Sequence, residues 1–141
     1  MLAANRPSAM GAGFVGLLNV ELHFPEAGSL KGKRRFVKSA KAQLQNRFGA
    51  AVAEVDHHDL WQRSCLTVAC VAREYREAER LLEEAVRYLS GQEYELIWDR
   101  RRIVGVEDEL ANVYRDALNL EGGGWDGDLE AMRRGGPIED L

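Results

Sequence analysis

The sequence predicts an α+β protein in which strands and helices follow the order β-α-β-β-α-β. The first observation behind this prediction is that short segments with apolar residues at every second position alternate with longer segments whose apolar residues recur every three or four. The second is that breaks with glycine or proline fall at residues 25–28, 49 and 91, and a polar connection falls at 57–63. The length of 141 residues and the 45% hydrophobic content fit one domain with a modest core.

The first strand is predicted over residues 14–24, FVGLLNVELHF, where every even-numbered position is apolar or glycine. Successive side chains of a strand point to opposite sides of its sheet. The even-numbered side chains therefore form the core face, and the other face carries Val15, Leu17 and Glu21.

The first helix is predicted from Leu30 to about Phe48, with Ser29 as its N-cap and Gly49 as its stop. Its apolar residues, from Phe36 onward, fall three or four apart and form one stripe. The rest of its surface is basic and has no acidic residue. The cations of this helix are Lys31, Lys33, Arg34, Arg35, Lys38, Lys41 and Arg47.

Three more strands and a second helix complete the pattern. Strands are predicted over residues 50–56, 64–73 and 94–104, and a helix over 75–90 whose exposed side mixes Glu and Arg. This order is that of the ferredoxin-like βαββαβ sandwich, with two helices on one face of a four-stranded antiparallel sheet.

We place this ferredoxin-like domain at residues 14–106, after a flexible leader over 1–13. Residues 107–141 form an acidic tail, whose first part, 107–120, has the pattern of a short helix. Residues 1–106 hold 16 basic and 13 acidic side chains, whereas the tail holds 3 basic and 10 acidic. The net charge of −4 therefore hides a basic domain.

Several classes of protein are disfavoured. No apolar run reaches the roughly 18–20 residues of a membrane span, and the N-terminal segment lacks the apolar core of a secretory signal. Cys65 and Cys70 are too few for a disulfide framework, and their odd separation places them on opposite faces of one strand. We expect a cytoplasmic protein without a membrane partner.

Motifs for catalysis are missing. The sequence has no P-loop, no nucleophile elbow and no dinucleotide-binding glycine pattern after a strand. We predict no catalytic residues and no cofactor, and keep a hydrolase of small phosphorylated substrates only as a third hypothesis.

Three segments carry a resemblance to a known family: SLKGKRR (29–35), NRFGAAVAEVDHHDLWQR (46–63) and CLTVACVA (65–72). In order and spacing they resemble the YlxP-like proteins, a family of small bacterial proteins of unknown function. The resemblance implies a ferredoxin-like fold. Genes of the family often lie among genes for transcription elongation, translation initiation and ribosome maturation factors, which implies an RNA or ribosome connection by association.

The resemblance has limits. It supplies no catalytic residues, because none are established for the family. Gly32 stands where many relatives carry an acidic residue, which leaves the start of this helix more basic. The acidic tail lies outside the shared domain.

The basic first helix is the leading candidate for a binding site. Cations near exposed amides at a helix start suit an anion such as phosphate, and solvated faces usually interleave both charges. We predict that RNA phosphates bind this helix face. Two alternatives stay open: a role in solubility alone, and docking of the acidic tail. The predicted contacts are Lys31, Lys33, Arg34, Arg35, Lys38 and Lys41.

A second set of cations is predicted to extend this footprint. The first helix should end near the start of the first strand, and we expect the 57–63 connection and the exit of the fourth strand at the same end. Interleaved cations and an aromatic suit RNA. Alternatively, Trp61 packs beneath the connection and Arg63 pairs with an acid. The predicted rim comprises Arg47, His57, Trp61, Arg63, Arg100, Arg101 and Arg102.

Two further interpretations concern metal and self-association. The run DHHD at residues 56–59 has metal-ligand residue types, but only alternate side chains can converge on one ion. We therefore predict that these residues serve as a polar loop and bind no metal.

The open face of the first strand carries Val15 and Leu17 in place of base-stacking rings. We therefore expect phosphate contacts without base readout, and a homodimer through this face is the alternative function.

Overall fold

The computed structural model describes residues 9–118 and confirms the predicted ferredoxin-like order. The sheet has the strand order β2-β3-β1-β4, and every neighbouring pair is antiparallel. Each predicted boundary within the described residues lies within two residues of the observed one. After a helical turn, Ala9–Ala12, the elements are β1 (Phe14–His23), α1 (Leu30–Phe48), β2 (Ala51–Asp56), β3 (Arg63–Ala72), α2 (Tyr75–Ser90), β4 (Glu95–Gly105) and α3 (Val106–Leu118).

The chain divides into two compact units between Glu107 and Asp108. The first contains the sheet with α1 and α2. The described part of the second is the rest of α3, as far as Leu118. The greater parts of the predicted leader and tail, 1–8 and 119–141, lie outside the described residues.

The predicted register of β1 is confirmed. Leu18, Val20 and Leu22 are buried in one cluster with the apolar residues of both helices, so α1 and α2 cover the same face of the sheet. Glu21 lies on the opposite face, which we call the open sheet face. Gly16 lies on the core face, where a Cβ atom would approach the Leu82 side chain of α2 to 3.0 Å.

Local sequence signals set the limits of α1. The Ser29 Oγ accepts a hydrogen bond of 3.0 Å from the Gly32 N–H, as an N-cap does. At the other end, Gly49 has the left-handed conformation with φ +60°, which ends the helix at small steric cost. The face between these caps buries Val37, Ala40 and Leu44.

Bulges in the two edge strands decide which residues reach the open sheet face. In β4 the pairing with β1 shifts by one residue at Ile97, so that Trp98 lies opposite Glu21. In β2 it shifts at Val55, so that Asp56 lies opposite Cys65 on the open sheet face, whereas Glu54 lies on the helix-covered face opposite Leu66. Both bulges change the alternation that the sequence pattern alone predicts.

The β2–β3 loop lies at the end of β1, because Arg63 pairs with His23. The last residue of β4, Gly105, pairs instead with Phe14 at the start of β1. The expectation that this loop and the exit of β4 share one end is therefore wrong. The β1-α1-β2 crossover makes β2 run in the direction of β1, which carries the loop to the opposite end.

Within residues 9–118, no helix is both long and apolar enough to cross a membrane.

Candidate nucleic-acid interface

The outward face of α1 presents five of the seven predicted cations to solvent. Four are exposed and the fifth, Lys41, is half-buried. None of the five has a carboxylate within ion-pair distance among the described residues. Because α1 also lacks acidic residues, this surface is uniformly positive. We call it the α1 cationic face: Lys31, Arg34, Arg35, Lys38 and Lys41.

Part of the α1 cationic face lines a concavity of about 500 Å³. Arg34, Lys38 and Lys41 follow one another about one turn apart along it, with Gln45 continuing the row. At a rise of 1.5 Å per residue, Arg34 and Lys38 lie about 6 Å apart along the helix axis. Three cations in a row along an open groove can bind successive groups of an extended anion.

Lys33 does not belong to this face, which corrects the prediction that it contacts phosphates. Its side chain is fully buried (0% exposed) between α1 and the β2–β3 loop. The Lys33 Nζ donates to the Glu54 carboxylate at 3.0 Å and to the carbonyls of His57, His58 and Arg63 at 2.7, 3.2 and 3.2 Å. Lys33 therefore anchors the loop and is closed to any ligand.

The sequence contained a signal for this burial. Lys33 precedes Val37, Ala40 and Leu44 by four, seven and eleven residues, which places it on the same line of the helix. Glu54 also accepts a hydrogen bond of 2.6 Å from the Ser64 Oγ. The Lys33–Glu54–Ser64 cluster is thus a polar network within the helix-covered side of the sheet.

The predicted rim does not form as one surface. Arg47 lies at the C-terminal end of α1, with its guanidinium carbon 4.8 Å from the centre of the Tyr88 ring. Trp61, His57 and Arg63 lie at the opposite end, in or next to the β2–β3 loop. Trp61 is half exposed, which contradicts the alternative that it packs beneath the connection.

Arg63 lies on the open sheet face and pairs with Glu21, as the second alternative proposed. The Glu21 carboxylate also contacts the His57 Nε2 at 3.3 Å, and its side chain is almost fully buried. His57 has a positive φ of 65°, and its own N–H donates to the Asp56 Oδ1 at 2.7 Å. This cluster neutralises Glu21 and fixes the start of the loop.

The three arginines of β4 point in two directions. Arg101 lies on the helix-covered side and pairs with Asp99 at 3.2 Å. Arg100 and Arg102 lie on the open sheet face together with Trp98, a residue that the sequence reasoning did not single out. The bulge at Ile97 places Trp98 there, and a strand pattern without the bulge does not reveal it.

Buried titratable groups offer little for catalysis. Burial raises the pKa of the Cys70 thiol, and burial together with the nearby Tyr88 raises the pKa of Tyr94. Cys65 and Cys70 are both buried and free, on opposite faces of β3 as predicted. Within residues 9–118, no three His, Cys, Asp or Glu side chains are grouped so as to hold a metal ion.

Comparisons with known proteins identify the family. A family model described as a protein of unknown function, DUF503, matches residues 15–102. The chain belongs to the DUF503 family. It is 29% identical over 75 residues to the uncharacterized protein YlxP of Bacillus subtilis (strain 168), a match that covers 53% of this chain and 82% of that protein. The resemblance to YlxP-like proteins is thereby confirmed.

Two solved structures are distantly similar to this DUF503 chain. The de novo designed protein Ferredog-Diesel has a TM-score of 0.32 and 12% identity, over 64% of this chain and 83% of its own. A REP-associated tyrosine transposase bound to a REP hairpin has a TM-score of 0.33 and 12% identity, over 85% of this chain and 73% of its own. Neither score supports an inference about function.

Proposed function

We propose that this protein is a nonenzymatic accessory protein of RNA or the ribosome in the cytoplasm, and that it binds RNA phosphates through the α1 cationic face. One observation carries the proposal: five cations lie side by side on one helix with no carboxylate partner in the described chain. Phosphate contacts of this kind supply affinity that does not depend on sequence.

A role in solubility alone explains this face less well. The exposed side of α2 shows what a solvated helix looks like in the same molecule, because it mixes the four glutamates of this helix with arginines. Arg80 and Glu84 there form an ion pair at 2.7 Å. Among the described residues the α1 cationic face has no such compensation, so its self-repulsion favours a polyanionic partner.

The ribosomal part of the proposal has a separate basis. It comes from the gene neighbourhoods implied by the resemblance to YlxP-like proteins, whereas the phosphate-binding part comes from the α1 cationic face. Co-sedimentation of the tagged protein with ribosomal particles at low salt, and its release at high salt, is the expected result.

The direct experiment measures binding of the full chain to a short labelled RNA duplex by fluorescence anisotropy at 50 mM salt. Arg34→Glu with Lys38→Glu should weaken binding at least about tenfold, for unrelated duplex sequences alike. The matched control reverses two exposed arginines of α2, Arg76→Glu with Arg87→Glu, and should change binding little. Equal losses from both double variants would refute a site on α1.

Homodimerisation through the open sheet face is the alternative function, and it stays a prediction. Leu17 is 39% exposed and Val71 is 74% exposed on that face, which favours contact with an apolar surface. The Leu17→Asp variant should convert such a dimer to a folded monomer in sedimentation experiments. A wild-type chain that sediments as a monomer at high concentration removes this alternative.

A further inference from the structure

The open sheet face carries an aromatic and cationic surface that is separate from α1. Trp98, Arg100 and Arg102 occupy alternate positions of β4 and lie opposite Glu21, Asn19 and Leu17 of β1. Thr67 of β3 lies on the other side of Asn19. A concavity of about 520 Å³ opens here, lined by Leu17, Asn19, Thr67, Arg100 and Arg102 among others.

The Arg100 side chain is held in position before any ligand arrives. The Asn19 Nδ2 donates to the Leu66 carbonyl at 3.1 Å and to the Thr67 Oγ1 at 3.2 Å, which fixes the amide of Asn19. The Asn19 Oδ1 then accepts a hydrogen bond of 2.8 Å from the Arg100 Nη2. The Arg100 guanidinium carbon also lies 5.1 Å from the centre of the Trp98 ring. Such preorganisation lowers the entropy lost on binding.

The charge on this surface is unbalanced. Among the described residues, neither Arg100 nor Arg102 has a carboxylate within ion-pair distance. Each acid of the open sheet face has a partner: Glu21 is bound by Arg63, Glu95 contacts the His23 Nδ1 at 2.6 Å, and Asp56 at the sheet edge accepts from the His57 N–H at 2.7 Å. In a second copy the carboxylates of this face would thus already have partners of their own, whereas an anionic ligand matches both arginines.

The exposed indole identifies the kind of anion. Trp98 is 36% exposed beside these cations, and an aromatic ring interleaved with arginines suits a chain of bases and phosphates. A base can stack on such a surface only when it is unpaired. We infer that the open sheet face binds single-stranded nucleic acid, with a base stacked on the Trp98–Arg100 pair and a flanking phosphate on Arg102.

This inference goes beyond the proposed function, because α1 and the open sheet face lie on opposite sides of the sheet. The α1 cationic face has no aromatic ring among its five residues and binds backbone alone. The open sheet face adds base stacking. One protein molecule can then bind a nucleic-acid backbone on the α1 side and an unpaired, single-stranded segment on the open sheet face. A substitution that abolishes binding at one surface should leave binding at the other intact.

The test uses the full chain carrying Arg34→Glu and Lys38→Glu, so that α1 no longer contributes. Binding of a short labelled oligouridine is measured by anisotropy at 50 mM salt. Adding Trp98→Ala should weaken binding at least about fivefold, as expected from the loss of one stacked base. Arg102→Glu should weaken it by a similar factor, and Trp98→Phe, which keeps a ring, should retain more binding than Trp98→Ala.

The control is Tyr75→Ala, which removes an exposed aromatic ring at the start of α2 and should leave oligouridine binding unchanged. Circular dichroism checks that each variant is folded. If the Trp98→Ala variant does not fold, the Arg102→Glu variant serves as the test. The inference is overturned if the α1-reversed chain binds no oligouridine, or if Trp98→Ala and Arg102→Glu bind as tightly as their parent. It is also overturned if the wild-type chain is a dimer that Leu17→Asp dissociates. Duplex binding by the wild-type chain tests α1 independently.

Discussion

Replacing Lys33 by methionine should destabilise the protein far more than the same change at an exposed lysine. In the Lys33→Met variant the side chain keeps a similar length but donates no hydrogen bond. Glu54 then loses its cationic partner in a site where the lysine was fully buried. The carbonyls of His57, His58 and Arg63 lose their shared donor at the same time.

The size of this effect follows from the burial of the pair. Removing one partner of a buried ion pair costs about 3–5 kcal/mol, because the remaining charge is left uncompensated. Native proteins of this size have a free energy of unfolding of only about 5–15 kcal/mol. We therefore expect Lys33→Met to remove about a fifth or more of the free energy of unfolding. Adding Glu54→Gln should restore part of it, because the second change removes the unpaired charge.

Urea denaturation measured by circular dichroism gives the free energy of unfolding for each variant. The matched control is Lys38→Met, which alters an exposed lysine five residues later on the same helix and should change stability by less than about 0.5 kcal/mol. Equal stabilities for Lys33→Met and Lys38→Met would refute the burial of Lys33. Its assignment to the phosphate-binding face would then have to be restored.

Two further substitutions test the packing. Tyr94→Phe should raise the free energy of unfolding by about 1 kcal/mol in urea denaturation, because the buried Tyr94 hydroxyl has no hydrogen-bond partner in the described chain. Since burial raises the pKa of Tyr94, the wild-type protein should also lose stability above about pH 10, where the unfolded chain ionises first, and Tyr94→Phe should lose less. Ser29→Ala should lower the stability by about 1 kcal/mol through loss of the N-cap, whereas Ser39→Ala, exposed in the middle of α1, should not.

Much of the fold could be predicted because its signals are local. The alternation of residues 14–24 determines which face of β1 is buried, and the limits of α1 follow from Ser29 and Gly49 alone. These features depend on a few neighbouring residues and on the periodicity of one element. The first compact unit therefore has the expected layers, and the α1 cationic face lies where its pattern predicts.

The composition of the candidate site could be predicted less completely. A count of cations does not distinguish Lys33 from its neighbours, although its spacing from Val37 and Leu44 does. The two ends of β4 have opposite alternation, because Leu96 and Ile103 both pack against the core although they are seven positions apart, and an odd offset in a regular strand places two side chains on opposite faces. Such a change of alternation requires a bulge somewhere in β4. Only the observed pairing of β4 with β1 shows that the bulge falls at Ile97 and places Trp98 on the open sheet face.

The most direct test of phosphate binding by α1 is the salt dependence of duplex binding. Each phosphate contact contributes about −0.9 to the slope of log affinity against log salt on duplex DNA, and we take a similar value for duplex RNA. Neutralising two cations by Arg34→Gln and Lys38→Gln should therefore make the slope shallower by about 1.8. Arg76→Gln with Arg87→Gln on α2 should leave the slope unchanged. If both double variants have the same slope as the wild-type chain, the assignment of the binding site to α1 is contradicted.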